Sequence, residues 1–258
     1  MKLQFYKYQG TGNDFILIDN RNKTIELSIE QIKQLCDRRF GIGADGLMLL
    51  ELQKGYDFKM VYFNADGNES TMCGNGGRCI AAFAQKLGII NGQAAFTAID
   101  GAHAAKIEKE DTVRLQMIDV TEINNNEDHS IVNTGSPHYI VWVDDVKNKE
   151  VVHEGRSIRN QPAFQPKGIN VNFAQREEDR IIVRTYERGV EDETLSCGTG
   201  VTAVAIASVR NKTGDFSIRI ETPGGKLNVS FHKENARTAT DVWLSGKTQF
   251  VYEGVIEL

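Results

Sequence analysis

The sequence is short of proline and cysteine. Four prolines among 258 residues exclude a proline-rich linker protein, and 24 glycines indicate many tight turns instead. Four cysteines are too few for a disulfide scaffold, and no pair of them has zinc-ribbon spacing. We therefore expect no bound metal, and we look to individual cysteines for chemistry rather than for cross-links.

Positive charges are slightly outnumbered by negative ones. Lys and Arg total 30 against 35 Asp and Glu, giving a net charge of −5 with both signs interspersed. Nucleic acids and anionic membranes require clustered basic residues, so we expect neither as a partner. No apolar run approaches the roughly 18 residues of a membrane span. Residues 1–10 lack the apolar stretch of a secretory signal. These features predict a cytoplasmic protein with a hydrophobic core.

The chain contains an internal repeat. Residues 69–76 and 193–200 both read E-[S/T]-x-x-C-G-x-G, with their cysteines 124 positions apart (197 − 73 = 124). The same offset aligns the apolar run 15–18 with 139–142. One duplication explains such a match, whereas a solenoid needs several short periods. We predict two homologous halves, residues 1–119 with a returning strand at 247–258, and residues 120–246.

Within each half, short strand-like runs accompany two helices. Ser28 to Gln31 form a capping box that predicts a helix over about 30–39. A second helix is expected over about 76–87, and its counterpart over about 200–210 is apolar on nearly all sides, which predicts burial. A sheet wrapped around a central helix, formed twice, fits this pattern. The polar, non-periodic segment 122–128 is expected to connect the halves as a hinge.

Two features have plain structural interpretations. Residues 41–46 match G-x-G-x-x-G, but the predicted helix precedes the motif and a strand follows it. A dinucleotide fingerprint has the opposite order, so we interpret the motif as a turn. Cys36 and Cys79 lie on apolar helical faces and are expected to be small buried side chains.

Cys73 and Cys197 differ from the other two cysteines because each precedes Gly-x-Gly at a predicted helix start. Free backbone N–H groups there favour a thiolate and a bound anion. Two inherited buried cysteines or a redox pair would also explain the pattern. The repetition of the motif favours a third interpretation, two catalytic thiols that face each other across the gap between the halves. Such a pair can invert a stereocentre, because one group removes a proton from one face and the other delivers a proton to the opposite face. No lysine has a Schiff-base context, so we expect no pyridoxal cofactor, and no cofactor of any kind.

Several motifs together resemble those of the diaminopimelate epimerase family, cofactor-independent two-cysteine enzymes that interconvert LL- and meso-2,6-diaminopimelate. The likeness extends over essentially the whole chain. It rests on residues 10–15 (GTGNDF), 63–67 (FNADG), 72–79 (MCGNGGRC), 186–189 (YERG) and 197–200 (CGTG).

This resemblance implies an α+β fold of two pseudo-symmetric, mainly antiparallel β-barrel-like domains, each around a central helix. It implies a small amino-acid substrate, a role in lysine and cell-wall precursor biosynthesis, and a homodimer whose contact includes Tyr252. By the same resemblance the catalytic groups are Cys73, Cys197, His138 and Glu187. Substrate binding is assigned to Asn13, Asn64, Gly74, Asn75, Asn170, Glu187, Arg188, Gly198 and Thr199.

The chain departs from the family pattern at two positions. Ser136 stands where many members have Asn, and Gly46 stands where some have Gln, so each position lacks a possible amide contact to substrate.

Other functions remain open at this stage. A relative with the same fold could racemise proline, hydroxyproline or histidine, but Asn64, Glu187 and Arg188 favour a substrate with a distal ammonium and carboxylate. A thiol–disulfide redox protein would use a reversible Cys73–Cys197 bond. A non-catalytic binding module would tolerate the loss of either cysteine.

Overall fold

The computed structural model describes residues 2–109 and 111–258. The chain divides into two compact units, Met1–Leu115 with Gly246–Leu258, and Gln116–Ser245. The elements up to the first boundary are β1 (Lys2–Gly10), β2 (Asn13–Asp19), α1 (Ile29–Cys36), β3 (Gly46–Glu51), β4 (Phe58–Asn64), α2 (Gly74–Lys86), β5 (Gln93–Ala98), β6 (Gly101–Ile107) and β7 (Thr112–Gln116).

The following elements are β8 (Ile123–Asn125), β9 (His129–Asn133), β10 (Pro137–Trp142), α3 (Val151–Arg159), a 3₁₀ turn (Pro162–Phe164), β11 (Asn170–Arg176), β12 (Ile181–Glu187), β13 (Asp192–Thr194), α4 (Gly198–Ser208), β14 (Gly214–Thr222), β15 (Gly225–Lys233), β16 (Thr240–Lys247) and β17 (Gln249–Glu257). None of the helices in these described ranges combines the length and apolar character that a bilayer crossing requires.

The sheet of the first unit surrounds helix α2. Its strands pair in the order β17–β1–β2–β3–β4–β5–β6–β7, antiparallel except for the parallel pairs β2–β3 and β4–β5. Helix α2 packs against β1, β2, β3 and β6. The approach at its first turn is close, because a Cβ on Gly76 would lie 2.4 Å from Cε of Met48. Glycine therefore lets the helix start lie directly against the sheet.

The second unit repeats this arrangement around helix α4. Strands β9–β10–β11–β12–β14–β15 alternate antiparallel and parallel pairings in the same succession as β1 to β6, and β8 and β13 add short antiparallel strands. Residues Val201 to Ala207 of α4 are all buried, which confirms the burial expected from their composition. The α+β class is thereby confirmed, whereas an origin by duplication stays a prediction.

Helix α1 begins as predicted and ends earlier than predicted. Ser28 is its N-cap, and the reciprocal bonds with Gln31 complete the capping box. The helix ends at Cys36 because the following turn folds back onto it. The N–H groups of Ile42 and Gly43 donate to the carbonyl of Leu35. The Gly-x-Gly-x-x-Gly segment thus caps this helix, and those N–H groups are not available to a phosphate.

The segment 122–128 is not the irregular connector that we expected. Ile123–Asn125 is strand β8, paired antiparallel with β9 through Ile123 and Val132. The Oγ of Ser130 also donates to Oδ1 of Asn125 at 2.7 Å. The strand is only three residues long, so its polar sequence carries too little alternation for a periodicity argument to detect. The expectation of irregular structure was therefore wrong for Ile123–Asn125, and the hinge role of the segment stays a prediction.

Substituting Gly155 tests the packing of α3. An alanine Cβ would lie 2.4 Å from Cβ and 2.6 Å from Cγ of the buried Tyr186. Alanine normally stabilises a helix relative to glycine by about 1 kcal/mol, but overpacking costs about 1–3 kcal/mol. We expect Gly155→Ala to lower the free energy of unfolding in urea titrations, whereas the exposed Ser157→Ala on the same helix should not. Equal stability of Gly155→Ala and the parent would contradict this packing.

Candidate active site

Cys73 is the N-cap residue of α2. Its backbone is extended (φ −102°, ψ 146°), and its Sγ accepts a hydrogen bond from the N–H of Gly76 at 3.1 Å. The sulfur thus occupies the position that a serine or aspartate oxygen takes at other helix starts. A donated N–H and the positive end of the helix dipole both stabilise a thiolate there.

Polar groups from the first unit surround this sulfur. Oδ1 of Asn13 lies 3.9 Å from Sγ of Cys73 and accepts from Nδ2 of Asn75 at 3.3 Å. Asn75 and Gly74 form the buried first turn of α2. The structure therefore brings together Cys73, Asn13, Gly74 and Asn75, four of the residues that the sequence assigned to the site.

Cys197 is the N-cap residue of α4, but its sulfur makes no cap bond to a backbone N–H. Its Sγ instead lies 3.4 Å from Oγ1 of Thr199, which lies 2.9 Å from Nε2 of His138. The Nδ1 of His138 faces Nδ2 of Asn172 at 3.1 Å. The structure thus brings Cys197, Gly198, Thr199 and His138 together, with Asn172 beside them; their roles stay predictions.

Asn172 settles the tautomer of His138. Its Nδ2 also lies 3.4 Å from the carbonyl oxygen of Tyr139, which can only accept, so Nδ2 is a donor. The ring therefore accepts at Nδ1 and carries its proton on Nε2, facing Thr199. Complete burial, together with the Arg188 charge, lowers the pKa of His138 to about 3. His138 is consequently neutral over the physiological range and donates to Thr199, whose own proton is free to point toward Cys197.

Ser136 organises a second cluster in this unit. Its Oγ accepts from Nδ2 of Asn170 at 2.8 Å and from Nη2 of Arg188 at 3.3 Å. Oδ1 of Asn170 in turn accepts from the backbone N–H of Arg188 at 2.8 Å. The sequence comparison treated Ser136 as a missing contact. The structure shows instead that this hydroxyl links two of the residues predicted to bind substrate.

Gly46 also has a structural reason that the sequence did not reveal. It lies opposite Asn64 in the β3–β4 register, and a Cβ on it would lie 2.6 Å from Cε2 and 3.1 Å from the hydroxyl of Tyr62. Tyr62 therefore fills the space that a larger residue would need. The added Cβ would also lie 2.6 Å from the backbone oxygen of Phe63, so a glutamine at this position requires both the ring and the backbone to move. The lack of a glutamine amide here is therefore a consequence of packing.

The remaining assigned residues stand at strand ends. Asn64 ends β4, where its backbone N–H donates to the carbonyl of Asn68. Glu187 ends β12, and its carbonyl accepts from the N–H of Glu191. Both are half-buried, as suits groups at the edge of a site, but their substrate-binding roles stay predictions.

Burial separates Cys36 and Cys79 from the other two cysteines. It raises the pKa of Cys36 to about 11 and raises that of the fully buried Cys79 further. Neither thiol is thus suited to acid–base chemistry near neutral pH. Within residues 2–109 and 111–258, no three His, Cys, Asp or Glu side chains are grouped so as to hold a metal ion.

Solved structures with the same fold cover nearly the whole chain. A phenazine biosynthesis protein of the PhzF family from Bacillus anthracis matches with a TM-score of 0.77 at 12% identity, over 100% of both chains. A hydroxyproline epimerase from Agrobacterium vitis matches with a TM-score of 0.70 at 15% identity, over 100% of this chain and 93% of that one. These likenesses define the class of fold, that of the PhzF and proline racemase-like proteins.

Sequence relatives define the family within this class. The family model for diaminopimelate epimerase matches residues 5–122 and 130–251. The diaminopimelate epimerase of Flavobacterium psychrophilum is 52% identical, covering 98% of this chain and 100% of that protein. That of Chlorobaculum tepidum is 41% identical, covering 96% and 99%. The chain belongs to the diaminopimelate epimerase family.

The neutral state of His138 has a consequence for acid stability. The unfolded histidine binds a proton below about pH 6.5, whereas the folded ring does so only near pH 3. The unfolded state therefore binds more protons between these values, and stability falls as the pH falls through this window. Relative to pH 7, His138 lowers the free energy of unfolding at pH 4.5 by about 2–3 kcal/mol.

We expect His138→Gln to lower the stability at pH 7 but to lose less of it between pH 7 and pH 4.5 than the parent protein. Urea unfolding at the two pH values measures the difference, and the exposed His153→Gln serves as the control. If the free energy of unfolding falls by the same amount between pH 7 and pH 4.5 in His138→Gln and in the parent, His138 is protonated in the folded state at pH 4.5.

Proposed function

We propose that the protein interconverts LL- and meso-2,6-diaminopimelate, with Cys73 and Cys197 as the two acid–base groups. The observation that carries the proposal is that each of the two cysteines is the N-cap residue of a helix enclosed by its own sheet. The identity to diaminopimelate epimerases over almost the full chain supports this substrate.

The chemistry of inversion explains the need for two such groups. One thiolate removes the α-proton, and the other residue delivers a proton to the opposite face of the carbon, so the two exchange protonation states in each turnover. The reverse direction begins from the opposite pair of states. In this proposal the N–H groups around Gly74-Asn75 and Gly198-Thr199 bind the α-carboxylate and stabilise the negative charge that develops.

The cluster around Ser136 fits recognition of the distal end of the substrate. Arg188 carries a planar fork of donors, and Ser136 and the carbonyl of Lys167 hold its two terminal nitrogens. A guanidinium held in this way is suited to bidentate binding of a carboxylate. In the proposal, Asn64, Asn170 and Glu187 provide the remaining polar contacts, with Glu187 as the partner of the ammonium group.

Catalysis is proposed to proceed without pyridoxal phosphate, since the two thiols supply both proton transfers. The product then serves lysine and cell-wall precursor biosynthesis, consistent with the names of the relatives. A homodimer and a cytoplasmic location complete the proposal and rest on the sequence resemblance.

Exchange of the α-hydrogen in deuterated water tests the proposal directly. With LL-diaminopimelate in D₂O, we expect meso product that carries deuterium at the inverted carbon. Cys73→Ser and Cys197→Ser should each reduce inversion by several orders of magnitude, because a serine hydroxyl is a far weaker acid than a thiol. Chiral chromatography with mass spectrometry measures both configuration and label.

Cys36→Ala and Cys79→Ala are the matched controls, and they should retain most activity apart from a packing cost of about 1 kcal/mol. Near-normal inversion by Cys197→Ser would exclude the two-thiol mechanism. A protein that introduces no deuterium into diaminopimelate, but forms and breaks a Cys73–Cys197 disulfide reversibly, would be a redox protein instead.

Substituting Arg188 tests recognition of the distal carboxylate. Lysine cannot reproduce the bidentate fork, so we expect Arg188→Lys to raise KM and to lower kcat/KM by about 1.5–3 kcal/mol. The exposed Arg156→Lys on α3 is the control for loss of a guanidinium. If proline or hydroxyproline is inverted as efficiently as diaminopimelate, the distal cluster does not select the substrate.

A further inference from the structure

A chain of hydrogen bonds with a fixed direction runs beneath Cys73. It begins at Arg78, which is fully buried and whose Nη2 donates to Oδ1 of Asn75 at 3.1 Å. A guanidinium has no acceptor, so Asn75 must present its oxygen to Arg78 and its Nδ2 on the other side. That Nδ2 donates to Oδ1 of Asn13 at 3.3 Å.

The chain ends at Asp45. Nδ2 of Asn13 donates to Oδ2 of Asp45 at 2.6 Å, and a carboxylate can only accept. The other oxygen of Asp45 accepts from Nη2 of Arg38 at 2.7 Å. A cation at one end and an anion at the other therefore fix both amides in one orientation, and the oxygen of Asn13 is the atom that faces the sulfur of Cys73.

We propose that Asp45 is a positioning residue for the reaction, which holds the Asn13 amide so that an acceptor faces Cys73 and favours its protonated thiol. An acceptor stabilises the S–H form, whereas a flipped amide would present N–H groups that stabilise the thiolate. Asp45 thus opposes the effect of the helix start on this sulfur, and it acts through Asn13 rather than by contact with the substrate.

The backbone keeps Asp45 in place. Its N–H donates to the carbonyl of Asp14 at 3.0 Å, and its carbonyl accepts from the N–H of Ala65 at 3.1 Å. The side chain of Arg38 bridges Asp45 and Asp14, with bonds of 2.7 to 2.9 Å. The backbone of Asp45 is therefore fixed at both its N–H and its carbonyl, and its carboxylate is held by Arg38 and by the N–H of Asp14 at 3.2 Å as well as by Asn13.

Other titratable groups lie near Cys73 and must be counted. Arg78 and Cys79, on the same helix, interact electrostatically with it. On the strand side, Asp14 lies behind Asp45, where burial raises its pKa but hydrogen bonds from Arg38 and Lys7 outweigh burial and lower it to about 2. These groups keep their charge state near neutral pH, so their effect on the pKa of Cys73 does not change there. A change in the orientation of Asn13 adds to that constant effect.

The isosteric variant Asp45→Asn reverses the polarity of the contact. In the new amide a single oxygen serves three donors, the charged Nη2 of Arg38, Nδ2 of Asn13 and the N–H of Asp14. With that oxygen on the charged Arg38, the new Nδ2 faces Nδ2 of Asn13 and favours a flip of Asn13. We expect the alkylation rate of Cys73 to rise about threefold near pH 7, with its pH profile shifted down by about half a unit. Iodoacetamide labelling with peptide mass mapping follows all four cysteines in the same sample.

Two controls separate positioning from general damage. Asp19→Asn removes a carboxylate that binds Arg21 through both oxygens, at 2.8 and 2.6 Å, and it should leave the Cys73 profile unchanged. The Cys197 profile should be unchanged in every variant. Asn13→Ala removes the acceptor itself and should also shift Cys73 to lower pH, which keeps the test available if Asp45→Asn does not fold.

The decisive comparison is the double variant. Because Asp45 acts through Asn13, Asp45→Asn should have no further effect in the Asn13→Ala background. An equal shift in that background would show that Asp45 acts by its charge alone, and an unchanged profile in both single variants would refute the inference. The catalytic purpose of a protonated Cys73 thiol rests on the proposed function, but the alkylation test measures the thiol directly and needs no substrate. Failure of either proposal can therefore be recognised separately.

Discussion

The site depends on one constraint, a cysteine that caps the first turn of a helix enclosed by a sheet. At Cys73 the sulfur itself accepts a hydrogen bond from the N–H of Gly76, so the residue that begins the helix is also the proposed acid–base group. Its position is fixed by the backbone of α2 and by the sheet against which the helix packs. Glycine at position 76 permits this, because any larger residue would meet Met48 and the sulfur itself. Folding the unit therefore fixes the position of the proposed reactive sulfur.

The two cysteines share this position but not their surroundings. Cys73 has the side-chain amide oxygen of Asn13 beside it, whereas Cys197 has the hydroxyl of Thr199, which accepts a hydrogen bond from the neutral ring of His138. Acceptors favour a thiol and donors favour a thiolate. The repeated architecture thus supplies two helix starts, and side chains that differ between the two halves differentiate them. His138 contributes as a hydrogen-bond donor held neutral by burial rather than as a base.

The features that were predictable from sequence are those encoded locally. The capping box at Ser28, the helix starts after both cysteines and the burial of α4 all follow from short patterns. Parallel strand pairs within a mainly antiparallel sheet depend on long-range pairing, which no local pattern reports. The roles of Ser136 and Asp45 were missed for a related reason. Each acts on a residue at least 32 positions away, Ser136 on Asn170 and Asp45 on Asn13.

Opposing influences on Cys73 make chemical sense for the role proposed above, in which this group both loses and accepts a proton. The helix start and the buried positive charge of Arg78 favour the thiolate, while the oxygen of Asn13 favours the thiol. A cysteine influenced only by the helix start and Arg78 would be a weak base and would remove an α-proton slowly. A cysteine influenced only by the oxygen of Asn13 would rarely be ionised. Proton transfer is fastest when the pKa lies near the working pH, so the balance among these groups matters more than any one of them. The turn that ends α1 supplies Asp45 to this balance, which links a structural cap to the chemistry of the neighbouring helix.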